Sequence, residues 1–146
     1  MLKGLSARRV SALALCCAMI LTGCTGPRTM TDAMQEELLS RVEARWRALE
    51  ANDFDTAYGF TSPAYRSVFS KSMYRHRFST QIIRQLTDIE FLTYDTSAAV
   101  ASVAVRVMSE PVKHTSRASA ALGAIPSQLV EKWLFVDGQW WFGTDA

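Results

Sequence analysis

Apolar residues recur every three or four positions from Met34 to Leu49. Met34, Leu38, Val42, Trp46 and Leu49 fall on one face of a helix, and Glu37, Glu43, Arg45 and Arg47 are assigned to the other. Asp32 stands at its start as a cap, with Gln35 three residues on in the capping-box position, and Asn52-Asp53 ends it. Shorter helical pieces follow. One spans 54–60, with Phe54 and Tyr58 a turn apart. Ser62-Pro63 reads as cap and first-turn proline of the next, which runs through Phe69. Ser72 caps a third, running toward Phe78.

Beyond about residue 81 the period falls to two. Ile89, Phe91 and Thr93 alternate with Glu90, Leu92 and Tyr94, and a turn falls at 95–97. Ala101, Val103, Val105 and Val107 then alternate with Ser102, Ala104, Arg106 and Met108, a half-buried strand. Residues 111–126 read as a loop with room for a helical turn in "RASAAL", and 129–136 as a third strand. Asp137-Gly138 is a strong signal for a two-residue hairpin. A type I′ turn there sets Val136 opposite Gln139, Phe135 opposite Trp140, Leu134 opposite Trp141 and Trp133 opposite Phe142. Trp133, Phe135, Trp140 and Phe142 then share one face, and four large aromatics side by side form a core or a pocket wall. Lys132, Leu134, Gln139 and Trp141 take the other, mixed face, where Trp141 is either partly exposed or in an interface.

Helices first and consecutive antiparallel strands after them make an α+β domain, with the N-terminal helices packed on a curved antiparallel sheet of about four strands. Ahead of it lies the apolar run 10–21, "VSALALCCAMIL", flanked by Lys3, Arg8 and Arg9. The run is short of the ~20 apolar residues that span a bilayer, and it has the n-region and h-region layout of a secretory signal.

The end of that run, Leu21-Thr22-Gly23-Cys24, resembles the lipobox of bacterial lipoproteins. The resemblance implies a diacylglyceryl group on the Cys24 thiol, cleavage between Gly23 and Cys24, and acylation of the new amine. Several acyl chains anchor firmly where one binds only marginally. The chain therefore divides into a lipoprotein signal peptide (1–23), a lipidated tether (24–31, with "TGPRTMT" lacking any apolar period) and one folded domain (32–146). Thr25 rather than Asp after the cysteine resembles the outer-membrane sorting class, which in a Gram-negative host places the domain on the periplasmic side. The expected localisation is the cell envelope, with the membrane as a partner through Cys24.

Processing changes two further readings. Cys16 and Cys17 lie in the leader, so the domain holds no internal disulfide and stands on its core alone. The whole chain carries a formal charge of +2, but three of its sixteen basic residues precede Cys24, which leaves thirteen against fourteen acids and a net −1. That balance excludes a nucleic-acid partner, which needs a basic surface excess.

The domain itself resembles the NTF2-like superfamily, the α+β cone fold. The likeness is carried by the long first helix leading into "RWRALEANDFDTAYGFTSPAYR", the curved sheet, and the closing "EKWLFVDGQWWF". A cystatin-like or other helix-on-sheet protein shares the same order of elements. The resemblance implies a cone-shaped pocket between bent sheet and helices; its expected lining is Trp46, Tyr58, Tyr65, Glu131, Trp133, Phe135, Trp140 and Phe142. Some members are isomerases or dehydratases, and others bind ligands or partners, so fold does not fix function.

An isomerase-type site needs a carboxylate base and a hydrogen-bond donor in a dry pocket. Asp53 reads better as a loop or cap residue, and Asp55 as a first-turn acid that the helix dipole favours. Tyr58, Tyr65 and Tyr74 are possible donors, of which Tyr58 and Tyr65 read better as amphipathic core residues. Glu131 shares the aromatic face and is the one acid to watch, against the plainer role of an ion pair at the rim. His76 and His114 have no ligand at metal spacing, and the chain has neither a Gly-x-Ser-x-Gly elbow nor a phosphate loop. No catalytic residue, metal or cofactor is assigned. The expected function is a lipid-anchored ligand- or partner-binding module. An envelope protein or a second copy would meet the outer sheet face at Leu134 and Trp141, or a small apolar ligand would enter the pocket. A small lyase or isomerase and a purely structural envelope lipoprotein are the alternatives.

Overall fold

A computed structural model describes residues 29–144; Cys24 and the leader lie outside the described residues. Helix α1 (Asp32–Glu50) is capped by Thr31, not Asp32: the Thr31 hydroxyl accepts from the Met34 amide at 3.2 Å, and Asp32 occupies the first turn. The cap falls one residue earlier because the hydroxyl satisfies an orphan N–H while the acid still meets the helix dipole. The helix ends in a Schellman closure. Asn52 adopts φ +56°, its amide donates to Leu49 O at 3.1 Å, and the Asp53 amide donates to Ala48 O at 2.8 Å.

Three short helices follow: α2 (Phe54–Gly59) capped by Asp53, α3 (Pro63–Val68) capped by Ser62, and α4 (Lys71–Arg75). The cap of α4 is Ser70 rather than Ser72, and the helix stops at Arg75, short of Phe78. Phe54, Tyr58, Tyr74 and Phe78 pack ring on ring between these pieces, with Phe54 and Phe78 stacked at 5.2 Å.

The sheet is a meander of four antiparallel strands in chain order: β1 (Ile82–Asp95), β2 (Val100–Pro111), β3 (Ile125–Val136) and β4 (Gln139–Gly143). Helix α5 (Arg117–Leu122), the "RASAAL" segment, lies in the β2–β3 connection. Strand β3 starts four residues earlier than the sequence pattern indicates. The register of β3 with β4 is the one that the Asp137-Gly138 hairpin dictates, from Val136 opposite Gln139 to Trp133 opposite Phe142. Asp137 and Gly138 have φ +53° and +77°, the pair of positive angles that a type I′ turn requires.

Strand β1 departs from simple alternation. Its register against β2 shifts between Leu86 and Asp88 and again between Phe91 and Thr93. Each bulge advances the phase by one residue. Leu86, Ile89, Phe91 and Tyr94 therefore all face inward, opposite Val107, Val105, Val103 and Ala101, while Thr93 turns outward. The same bulges bend the strand around the helices. Glu50, at the end of α1, accepts from the Leu86 amide at the first bulge and locks helix to sheet there.

The core lies between α1 and the inner sheet face. Leu38, Val42, Val103, Val105, Trp133 and Trp140 have no accessible surface. Trp140 is pinned to α1 twice: its indole N–H donates to Met34 O at 3.0 Å, and its carbonyl accepts from Arg41 Nε at 2.8 Å. The free edge of β4 is covered by the α2–α3 link, through a Thr61–Phe142 bridge and a 2.8 Å bond from the Phe142 amide to Phe60 O. That cover removes an exposed pairing edge. Among the described residues no helix is long and apolar enough to cross a membrane.

Candidate functional site

At one end of the sheet the helices do not close fully over the inner face, and a cavity of about 290 Å³ remains. Its floor is a buried polar network. Glu131 lies on β3 opposite Val103, which points its side chain inward. Its Oε1 accepts from Arg45 Nη1 at 2.7 Å and from the Trp46 indole N–H at 2.9 Å; its Oε2 accepts from the Trp133 indole N–H at 3.0 Å. Both members of the ion pair are almost wholly out of solvent, Arg45 at 4% exposure and Glu131 at 7%. The Arg45 guanidinium also lies over the Phe142 ring, 3.6 Å from its centroid. A buried carboxylate is tolerable only when paired and hydrogen-bonded, and this one is both.

Arg45 was placed by its charge on the polar side of α1, and the structure corrects that. It follows Val42 by three residues and precedes Leu49 by four, so helical geometry puts it in the apolar stripe. Glu131, eighty-six residues on, supplies the counter-charge that lets it remain there.

Arg45 and Tyr74 both line the cavity, but Arg45 Nε and the Tyr74 hydroxyl are themselves buried beneath its surface, without a hydrogen-bond partner of good geometry. Burial pushes the Tyr74 phenol above its ordinary pKa, and the neighbouring Arg45 guanidinium opposes that shift. Leu49, Phe78, Phe142 and Leu129 supply apolar wall, and Arg77 stands exposed at the mouth.

The structure brings Trp46, Glu131 and Phe142 to the cavity, while Trp133 reaches it through the N–H that it gives to Glu131. The other expected lining residues lie elsewhere. The Tyr58 hydroxyl donates to Phe69 O at 2.6 Å inside the short-helix cluster. Tyr65 stacks on Phe69 at 4.6 Å, and its hydroxyl accepts from Arg77 Nη1 at 3.3 Å. Phe135 and Trp140 pair edge-to-face at 4.9 Å, and Tyr94 closes on Trp140 from the far side at 5.8 Å. Sequence reasoning missed Arg45 and Tyr74. A cation at an apolar-stripe position was a readable signal for the first; the second was named as a possible donor but was not placed in the pocket wall.

On the outer face Leu134 and Trp141 are cross-strand partners and both are half-buried. Trp141 lies under two guanidiniums, Arg66 at 4.8 Å and Arg41 at 5.4 Å from its ring centre. The middle of that face is polar: Arg106 pairs with Asp88 and Glu90, and Lys132 Nζ donates to Ser102 Oγ at 2.6 Å. Among the described residues no group of three or more His, Cys, Asp or Glu side chains is placed to hold a metal.

No protein-family model matches the chain, and no curated protein matches it. Among solved structures it is similar to a protein of unknown function with a cystatin-like fold from Nostoc punctiforme PCC 73102. The TM-score is 0.52 at 9% identity, over 77% of this chain and 88% of that one. The two share a fold. The association domain of C. elegans CaMKII aligns with a TM-score of 0.45 at 15% identity, over 75% of this chain and 91% of that one. The likeness to the Nostoc protein, at 9% identity, concerns fold alone.

Proposed function

We propose that the chain is a lipid-anchored cell-envelope protein whose domain, a cone of the NTF2-like kind, binds a ligand or partner and performs no reaction. The observation that carries the non-catalytic part is the state of Glu131. It is the one acid in the cavity wall, and three donors hold it while a guanidinium neutralises it. A general base needs a lone pair free to take a substrate proton. Glu131 has its charge and its geometry committed to the fold.

The binding part is supported by a cavity that the helices leave open above that network, near the lower end of the ~300–1,000 Å³ typical of ligand pockets. The bulges that bend β1, with helices closing one face, support the cone reading. The anchor is supported by Leu21-Thr22-Gly23-Cys24 behind a basic flank and an apolar run. In a Gram-negative host the anchored domain faces the periplasm from the outer membrane.

Membrane fractionation of the full chain and its Cys24→Ala form in a bacterial host tests the anchor. The wild type is expected to sediment with membranes and to leave them only in detergent, and the variant to lose acylation and that detergent dependence. A wild type washed off by salt or carbonate alone contradicts the proposal.

A further inference from the structure

The charge of the domain is unevenly placed. From Thr56 to Thr87 the chain has no acidic residue and five basic ones: Arg66, Lys71, Arg75, Arg77 and Arg84. The rest of the chain from Cys24 onward holds eight basic residues against fourteen acids. A net charge near zero thus conceals a basic segment, which folds as α3, α4 and the start of β1. Arg84 turns in over Phe78, 5.8 Å from its ring centre, and Arg75 is matched by Asp55 at 2.8 Å. Arg66, Lys71 and Arg77 have no carboxylate partner among the described residues.

The same short helices hold apolar side chains out to solvent. Tyr65, Phe69, Tyr74 and Phe78 pack on one another. Lys71, Met73, Arg75 and Arg77 remain exposed, as does Val68 at the end of α3. Val68 is 70% accessible and Met73 52%. Helix α4 is only about 7.5 Å long, so Lys71, Met73 and Arg75 stand within about one Debye length of one another. Apolar tips among cations suit a surface that presents anionic head groups over an apolar layer: the cations meet phosphates and the tips lose contact with water. A purely polyanionic partner uses the cations and leaves Val68 and Met73 wet.

We infer that the α3–α4 face docks on the anionic lipid surface to which the chain is tethered. Lys71 and Arg77 meet headgroup phosphates, and Val68 and Met73 enter the interface. Arg66, half-buried over Trp141, strengthens the field at the rim. The tether reaches far enough. Its eight residues, 24–31, span at most roughly 29 Å. Phe60, just ahead of α3, lies 5.1 Å from the Arg41 guanidinium, and Arg41 is about 15 Å along α1 from Thr31. Each cation at such a surface contributes a small factor, and confinement by the anchor makes the sum effective.

This inference rests on the anchored reading, and the test separates the two. The native acylated product is reconstituted into vesicles of phosphatidylcholine, with and without about a third of phosphatidylglycerol. Cys24 is the one cysteine after the leader, and acylation blocks its thiol. A polarity-sensitive dye on Ser72→Cys therefore reports the α3–α4 face. The same dye on Gln85→Cys, on the sheet face turned away from the helices, is the reference. The dye at Ser72 is expected to shift to the blue in anionic vesicles and to revert in neutral ones or in about 1 M salt. The dye at Gln85 is expected not to shift. Lys71→Gln, at an exposed site, is expected to lower the docked-to-undocked ratio about fivefold, and Val68→Ser about threefold. If the protein floats with both vesicles while the dye at Ser72 stays in water, the anchor reading stands and the docking inference falls. If the shift is as large in neutral vesicles, or is unchanged in Lys71→Gln, the basic face is not its cause and the inference falls. If the dye at Gln85 shifts as far, the domain has no fixed face toward the lipid and the inference falls. If the protein floats with neither vesicle, both fall.

Discussion

Arg45 and Glu131 meet at 2.7 Å across the interface of helix and sheet, eighty-six residues apart in sequence and both almost fully buried. The contact joins the middle of α1 to β3 and sets the floor of the cavity between them. Its value to the fold is asymmetric. A buried pair adds little over apolar packing, while half of one is costly.

Glu131→Gln and Arg45→Met are each expected to lower unfolding free energy by about 3–5 kcal/mol, since each leaves a buried partner unpaired. Glu131→Gln also weakens the acceptor for the Trp46 and Trp133 indoles. The double variant Arg45→Met/Glu131→Gln, which removes both charges and keeps an amide oxygen for the two indoles, is expected to lose less than the two single losses added together. Urea denaturation of the four proteins measures the coupling. Additive losses in the double variant would show that the two residues do not act as a pair.

Trp141 reports the helix-to-edge contact. Arg41→Ala removes one of the two guanidiniums above the ring and the bond to Trp140 O. A loss of about 1–2 kcal/mol is expected, together with a red shift in tryptophan emission as the ring gains water. An unshifted spectrum would mean that Arg66 alone shields it.

The hairpin turn is a backbone requirement. Gly138 sits at φ +77° with open space where a Cβ would go, so Gly138→Ala meets no clash and its cost is conformational only. About 1–2 kcal/mol is expected from the left-handed penalty. Asp137→Asn keeps a residue that tolerates φ +53° and is expected to be neutral. Thermal melts rank the two, and equal melting temperatures would contradict the type I′ assignment.

Acid sensitivity is expected at the cap of α2 and at the β1–β2 turn. The Thr56 hydroxyl at 2.6 Å and then the Thr56 amide at 3.0 Å hold the Asp53 carboxyl below its ordinary pKa of 3.8, and Ser97 and Ala98 do the same for Asp95. A carboxyl depressed in the folded state contributes stability that is fully present above its unfolded pKa and is lost as pH falls through the folded value. Stability is therefore expected to decline below about pH 4. Asp53→Asn, which still caps α2, is expected to flatten part of that decline. Parallel denaturation curves at pH 3 and pH 6 check it, and an unchanged slope in Asp53→Asn would assign the acid limb to other groups.

The readable parts of this fold were those decided locally. Asp137-Gly138 forced a type I′ turn, the turn fixed the β3–β4 register, and the register grouped Trp133, Phe135, Trp140 and Phe142 on the inner face. Ser62-Pro63 and Asp53 marked helix starts for equally local reasons. The misread parts were those decided at a distance. Alternation along β1 grouped Thr93 with Ile89 and Phe91 and set Tyr94 apart from them, but the bulge at Leu92 puts Tyr94 on their face instead, and strict alternation has no place for the extra residue. Arg45 went to the polar face because its charge outweighed its position; only Glu131 on a remote strand makes its burial tolerable. Of the expected pocket wall, Tyr58 and Tyr65 were amphipathic by pattern and became packing between short helices, whose placement depends on tertiary contacts.

Mass spectrometry of the N-terminal peptide from the native, membrane-extracted product tests the proposed function most directly. The expected result is a peptide that begins at residue 24 and carries a diacylglyceryl thioether and an amide-linked acyl chain on Cys24. A peptide that begins at Met1, or one with an unmodified Cys24, would contradict it.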